Sequence, residues 1–285
     1  MAKRIALLIL LCSLLSCNKN NEVIPAYIYI TEALVETDYA TEGSTSNDVN
    51  SVFVAIDDIS IGVFELPALV PILTTGEVDL TIQAAIPRNG SYADFISYTP
   101  YTFYTTTRTL TEAVADTIQP NFKYRTAAQF LLLNDFENSN NLEILEDEVT
   151  FNSINNNQVF EGSRSGFVEL TDENPAFTLV TIESVDVPDL QQPNFVEFDY
   201  KCDGLLQFYV SGLDFTSSTP NAFIDDILFI KPIDDWNKLH VDLSAYLLSK
   251  GDVQSIHIGF RAIIPDTLSQ ASYYFDNIKF IHVPL

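Results

Sequence analysis

Among 39 Asp and Glu, three His and three Cys, little is arranged for catalysis. No His-Glu-x-x-His stretch occurs. His240, His257 and His282 fall in alternating segments that read as strands, without metal-ligand spacing. Gly162-Ser163-Arg164-Ser165-Gly166 carries the glycines of a nucleophile elbow, but its centre is Arg164 rather than serine and no helical pattern follows. Glycoside hydrolysis needs a pair of carboxylates, and nothing singles one out from so many acids. We therefore expect no enzyme. A saccharide site would need aromatic rings to stack on pyranose faces, with amide or carboxyl groups beside them. Tyr209, Phe215 and Phe223, around the polar stretch 211–220, are the candidate ligand-binding platform. Tyr98, Tyr101 and Tyr104 form a second set. EF-hand spacing is absent, and Asp225-Asp226 and Asp234-Asp235 read as turns.

The elements that must position these groups are strands. Short apolar runs separated by turn signals recur, without sustained helical periodicity, and 20 Phe with 13 Tyr favour sheet. The expected fold class is all-β: two β-sandwich domains in series, at 26–123 and 127–285. In the first, strands are expected at 27–31, 51–56, 59–64, 78–84, 95–103 and 105–111, with Asp57-Asp58 and Thr75-Gly76 as turns and prolines at strand ends or edges. The sum is an immunoglobulin-like sandwich. The boundary is placed at Ile118-Gln119-Pro120-Asn121 and just beyond, and a short helical turn is expected at 243–248 before Gly251-Asp252. In the second, Val196, Phe198, Tyr200 and Cys202 share one strand face, with Glu197, Asp199, Lys201 and Asp203 on the other. Cys202 is expected in the core. The net charge of −25 argues against nucleic acid as a partner and suits divalent cations or neutral and basic partners.

At the start, Lys3 and Arg4 precede an apolar run, 5–15, that is too short to span a membrane and follows the signal-peptide plan. Leu14-Leu15-Ser16-Cys17 resembles the bacterial lipobox. This implies a lipoprotein signal peptide at 1–16, lipidation of Cys17, a polar tether at 17–25, and a lipid anchor as the membrane partner. Asn18-Lys19-Asn20-Asn21-Glu22 resembles part of a Bacteroidetes surface-export signal, so the expected location is the outer membrane. With Cys12 removed and Cys17 acylated, Cys202 has no internal disulfide partner.

Val52-Phe53-Val54-Ala55-Ile56-Asp57-Asp58, continuing through Ile61-Gly62 and Glu65-Leu66-Pro67 to Leu80-Thr81-Ile82, resembles small surface-layer-type repeat domains and an N-terminal domain of Bacteroidetes lipoproteins. From 127 onward the chain resembles jelly-roll modules of the carbohydrate-binding kind. The carriers are Leu133-Asn134-Asp135-Phe136-Glu137, Val159-Phe160-Glu161-Gly162-Ser163, Asp235-Trp236-Asn237-Lys238-Leu239-His240 and Tyr274-Phe275-Asp276-Asn277-Ile278. The resemblance implies a structural Ca2+ shared by Glu137 and Asp276, an oxygen donor pair of the kind this ion takes. It also implies a core-facing Trp236. Asp116-Thr117-Ile118 and Asp266-Thr267-Leu268 resemble Bacteroidetes O-glycosylation sites at Thr117 and Thr267, in expected connections. The resulting expectation is a non-catalytic envelope lipoprotein. Its jelly roll would bind glycan or an outer-membrane protein partner, with the first sandwich as spacer; the alternative is a structural accessory subunit without a small ligand, and less favoured still a glycan-degrading enzyme.

Overall fold

The computed structural model describes residues 23–138, 140–145 and 148–284. The basic start, the apolar run and Cys17 lie outside the described residues. The remainder is nearly all β, as expected.

The first half is built around one long strand, Gly76–Arg88, which pairs antiparallel with Ser51–Ile56, Ser91–Ser97 and Tyr104–Leu110. Ile59–Glu65 adds an edge to Ser51–Ile56. Asp57 and Asp58 both adopt the left-handed conformation, the geometry that lets a two-residue turn follow the twist of its strands. Against this sheet lies a three-stranded sheet of Ala68–Ile72, Ala26–Ile30 and Ala115–Ile118, the last two parallel. A parallel pair, Leu34–Glu36 with Asn121–Lys123, completes the half. Ile28, Val52, Val54, Ile82 and Phe122 are fully buried between the layers.

Two expectations change here. The strand expected at 95–103 stops at Ser97, because Pro100 cannot donate to a ladder; the chain turns instead, closed by the Tyr101 N–H to the Tyr98 carbonyl at 3.1 Å. The segments 68–72, 115–118 and 121–123 are strands that the sequence pattern did not mark: the last two are too short for periodicity to register, and 68–72 contains Pro71 and no polar residue to show alternation. Thr117 therefore stands on an edge strand rather than in a connection; it is exposed, as is Thr267 in its turn.

The second half is an antiparallel two-sheet sandwich. One sheet orders Asn152–Ile154, Ser165–Thr171, Gln270–His282, Asn194–Cys202 and Ile233–Asp242, with Gln129–Asn134 also paired to Gln270–His282. The facing sheet orders Leu142–Ile144, Ala176–Thr181, Ser255–Ile263, Leu206–Asp214 and Asn221–Ile230. Between them Phe198, Phe208, Phe260 and Phe275 pack ring against ring, with centroids 4.7–5.7 Å apart. Cys202 joins this core, and burial pushes its thiol up to about 12. A helix, Ser244–Lys250, closes one end and stops at Gly251 in the left-handed region.

How the halves meet is a feature that the sequence pattern did not address. The polar face of Asn194–Cys202 is covered by the first sandwich rather than by water. Glu197 is 0 % exposed and Asp199 1 %. Register places His240 and Lys279 on either side of Glu197, and Lys238 beside Asp199. Lys238 Nζ lies 3.4 Å from Glu197 and 3.5 Å from Asp199. The first half reaches into this array. The Tyr98 and Tyr124 hydroxyls donate to Glu197, Ser46 Oγ donates to Asp199 at 2.8 Å, and Lys279 Nζ donates to the Ser44 carbonyl at 2.8 Å. Around it Phe195, Ile281 and Val283 of the second half belong to the core of the first. The two sandwiches therefore follow each other in series, as expected, and share one buried face.

Burial by itself pushes the Glu197 carboxyl up, but Lys238, Lys279 and His240 outweigh it and hold the group at about 2. This lies below its ordinary 4.5. Its contribution to stability is therefore complete above pH 4.5 and is lost as pH falls toward 2. Removing one member of a buried ion pair strands the other, at a cost of about 3–5 kcal/mol. Glu197→Gln should thus lose about that much at pH 7, with the deficit narrowing at pH 3. Urea unfolding at the two pH values checks this, and an equal deficit at both would refute it.

Candidate functional site

The junction leaves a cleft of about 350 Å3 at the open edge of the second sandwich. Its size and its place between two packed units are typical of ligand sites. One wall is the hairpin between strands Gly76–Arg88 and Ser91–Ser97. Asn89 and Gly90 make that turn with positive φ of 51° and 74°, conformations that Asn and Gly tolerate best. Asn89 Oδ1 accepts the Asp242 N–H at 2.8 Å, which ties the hairpin to the second sandwich. The other wall is the connection between Asn221–Ile230 and Ile233–Asp242.

The lining has the chemistry that a hydroxyl-rich ligand needs. Tyr92 and Phe229 present exposed rings, 67 % and 56 % accessible. Tyr200 lies deeper, its hydroxyl accepting from Asn237 Nδ2 at 3.2 Å. Asp48 and Asn89 add a carboxyl and an amide from the first half. Burial is the main reason the Asp48 carboxyl is raised, with Asp199 adding to it and Asn50 and Lys238 opposing. At the floor stand Lys238 and His240, both buried; Lys238 Nζ is held by its ion pairs to Glu197 and Asp199, and His240 Nε2 makes no hydrogen bond. Burial pushes the His240 ring down to about 4, although Glu197 pulls the other way. The ring is therefore neutral at ordinary pH.

The aromatic residues singled out from the sequence are placed elsewhere. Tyr209 is on the outer face of its sheet, yet only 2 % exposed. Its ring lies flat across Gly259, where a Cβ would stand 2.5 Å from the ring, and the Arg261 guanidinium covers it at 5.5 Å. Arg261 is itself held by Gln207 at 2.9 Å and by Asp226 at 2.6 Å. Tyr209 thus has no free face. Phe223 packs onto the core against Gly212, with the Lys250 ammonium 4.6 Å over its ring. Phe215 is half-buried in the following loop, its N–H donating to the Asp252 carbonyl at 2.7 Å. The three do not form one platform. Tyr98 and Tyr101 are buried in the junction, and Tyr104 opens a strand of the first sheet. Trp236 is half-buried outside the core cluster, where Phe160 packs on it and Gln158 accepts its Nε1–H at 3.1 Å. Tyr92 and Phe229 escaped notice because one follows a loop and the other ends a strand. Only tertiary packing brings them to the same opening.

Both members of the expected calcium pair are engaged in hydrogen bonds, with the successive residues 163–165. Glu137 Oε1 caps the 162–164 turn by accepting the N–H groups of Ser163 and Arg164 at 2.6 and 2.9 Å. Asp276 accepts the Ser165 hydroxyl at 2.6 Å and the Asn277 N–H at 2.8 Å. Burial pushes the Asp276 carboxyl up to about 7 despite these two donors. Among the described residues no three carboxylate, His or Cys groups converge as a metal site. Two buried oxygens nearby, Glu161 Oε1 and Asn277 Oδ1, do have no hydrogen-bond partner. Gly162–Gly166 leads into the strand Ser165–Thr171 and not into a helix, so it is no nucleophile elbow.

No family model and no curated protein matches this sequence. Solved structures similar to it include a CBM22 xylan-binding domain from Paenibacillus barcinonensis, at 16% identity over 56% of this chain and 99% of that one, with a TM-score of 0.41. A family 11 carbohydrate-binding module from Clostridium thermocellum matches at 16% identity, 55% and 95% coverage and a TM-score of 0.36. A further carbohydrate-binding module of the β-sandwich superfamily covers 81% of this chain and 84% of its own length, at 15% identity and a TM-score of 0.36. At these identities the likeness concerns the β-sandwich fold alone.

Proposed function

We propose that this protein is a non-catalytic, lipid-anchored envelope protein that binds glycan in the cleft between its two sandwiches. The cleft itself is the observation that carries this reading. It offers two exposed rings, Tyr92 and Phe229, on either side of an opening lined with Asp48, Asn89 and Asn237. Aromatic faces bind the apolar faces of sugar rings, while amide and carboxyl groups take the hydroxyls. Since both sandwiches contribute walls, the first half acts as part of the binding unit and not as a spacer.

A panel of soluble polysaccharides in affinity electrophoresis tests the reading on the full chain. Binding to at least one member is expected, weakened about tenfold or more in Phe229→Ala and in Tyr92→Ala, a loss of about 1.4 kcal/mol. Tyr209→Phe should leave it unchanged, because that ring is covered. Absence of binding across the panel, or binding indifferent to both cleft variants, would sink the proposal.

Structural calcium near Glu137 and Asp276 is a separate proposal. It is supported by the donorless oxygens of Glu161 and Asn277, since Ca2+ takes oxygen ligands of this kind. EDTA should lower the melting temperature and added Ca2+ restore it; a temperature unmoved by either rejects the ion.

The anchor rests on the residues up to Cys17. A Cys17→Ser variant should move from the membrane fraction to the soluble fraction of the producing cell, and retention in the outer membrane would exclude lipid on Cys17 as the anchor. The glycans proposed at Thr117 and Thr267 would sit on exposed residues that do not line the cleft.

A further inference from the structure

The charges around the cleft narrow the kind of glycan it takes. Glu197 and Asp199 stand against Lys238 and Lys279 beneath the floor, and the cleft lining adds one acid, Asp48, and one further ammonium, Lys231. Carboxylates and ammonium groups therefore balance, and His240 adds no charge. An acidic sugar would bring a further carboxylate or sulfate beside Asp48, Glu197 and Asp199 with no unmatched cation to receive it. The floor nevertheless lacks something. Lys238 Nζ is ion-paired with its two carboxylates at 3.4 and 3.5 Å, longer than an ordinary N–H···O bond, and His240 Nε2 has no hydrogen-bond partner. Lys238 is 5 % exposed and His240 3 %. A buried polar group left unpaired is costly, and His240 Nε2, beside an ammonium held only at long distance in the same cleft lining, marks the place where a ligand oxygen docks.

We propose that the cleft selects an uncharged glycan, one of whose hydroxyl oxygens completes the hydrogen bonding of Lys238 and His240. The inference rests on the reading of the cleft as a glycan site and goes beyond it in naming the ligand class and the floor residues that recognise it. A hydroxyl suits both groups, because it accepts from the ammonium and can either accept from or donate to the imidazole.

The test compares two sets of probes on the full chain: neutral polysaccharides (xylan, mixed-linkage β-glucan, galactan, mannan) and acidic ones (polygalacturonate, alginate, a sulfated galactan). Binding is expected only within the neutral set, with little dependence on salt. His240→Gln should weaken it about tenfold, a loss of about 1.4 kcal/mol. Asp48→Asn on the rim is the second variant, and it should raise affinity for the acidic set by removing a repelling carboxylate. Preference for acidic polysaccharides, fading with salt, would overturn this inference while leaving glycan binding intact. So would a folded His240→Gln protein with unchanged affinity when Phe229→Ala has lost it. If His240→Gln does not fold, Asp48→Asn decides: no gain toward the acidic set counts against the charge argument. Failure of every probe would remove both readings together.

Discussion

The placement of Glu197 governs the rest of the structure. A carboxylate with no exposed surface must be compensated, and its partners come from three directions. Lys238 and Lys279 reach it from neighbouring strands of its own sheet, while Tyr98 and Tyr124 donate to it from the first sandwich. The first half cannot be lifted away without exposing this array and leaving the two tyrosine hydroxyls without their acceptor. The ionic cluster does not by itself make the protein more stable than an apolar contact would. It makes one relative position of the two sandwiches far better than any other, because displaced charges would remain buried without partners.

That fixed position is what makes the cleft possible. Its walls come from segments about 140 residues apart in sequence, so its width depends on how the two halves dock. The Asn89 hydrogen bond to the Asp242 backbone pins the hairpin at the mouth, and the Lys238–His240 stretch supplies both the ionic junction and the cleft floor. One strand, Ile233–Asp242, therefore links the ionic junction to the lining of the cleft. A site so framed is preorganised, which reduces the ordering cost of taking a ligand.

Some of this was legible in the residues. Alternation in 196–203 identified which side chains share a face, and Val196, Phe198, Tyr200 and Cys202 do point into the core as expected. Asp57-Asp58 marked its hairpin and Gly251 the end of the helix. The candidate site was much less legible. Tyr209 was a candidate stacking ring beside the polar stretch 211–220, but Gly259 and Arg261 take up both sides of the ring. Phe223 and Phe215 are near it in sequence and still do not share its patch. The residues that do meet at the cleft, such as Tyr92 and Phe229, have no local pattern in common.

By itself, then, the sequence determined the all-β class, many strand positions and the face on which each side chain of a strand lies. These follow from local rules: the two-residue period of an extended chain, the turn preferences of Asp, Asn and Gly, and the missing N–H of proline. It could not determine what covers each face. Glu197, Asp199 and Lys201 alternate just as solvent-facing residues do, and only the docking of the first sandwich turns the first two into a buried ionic junction. Burial is a property of distant segments meeting, and no periodicity within one strand records it.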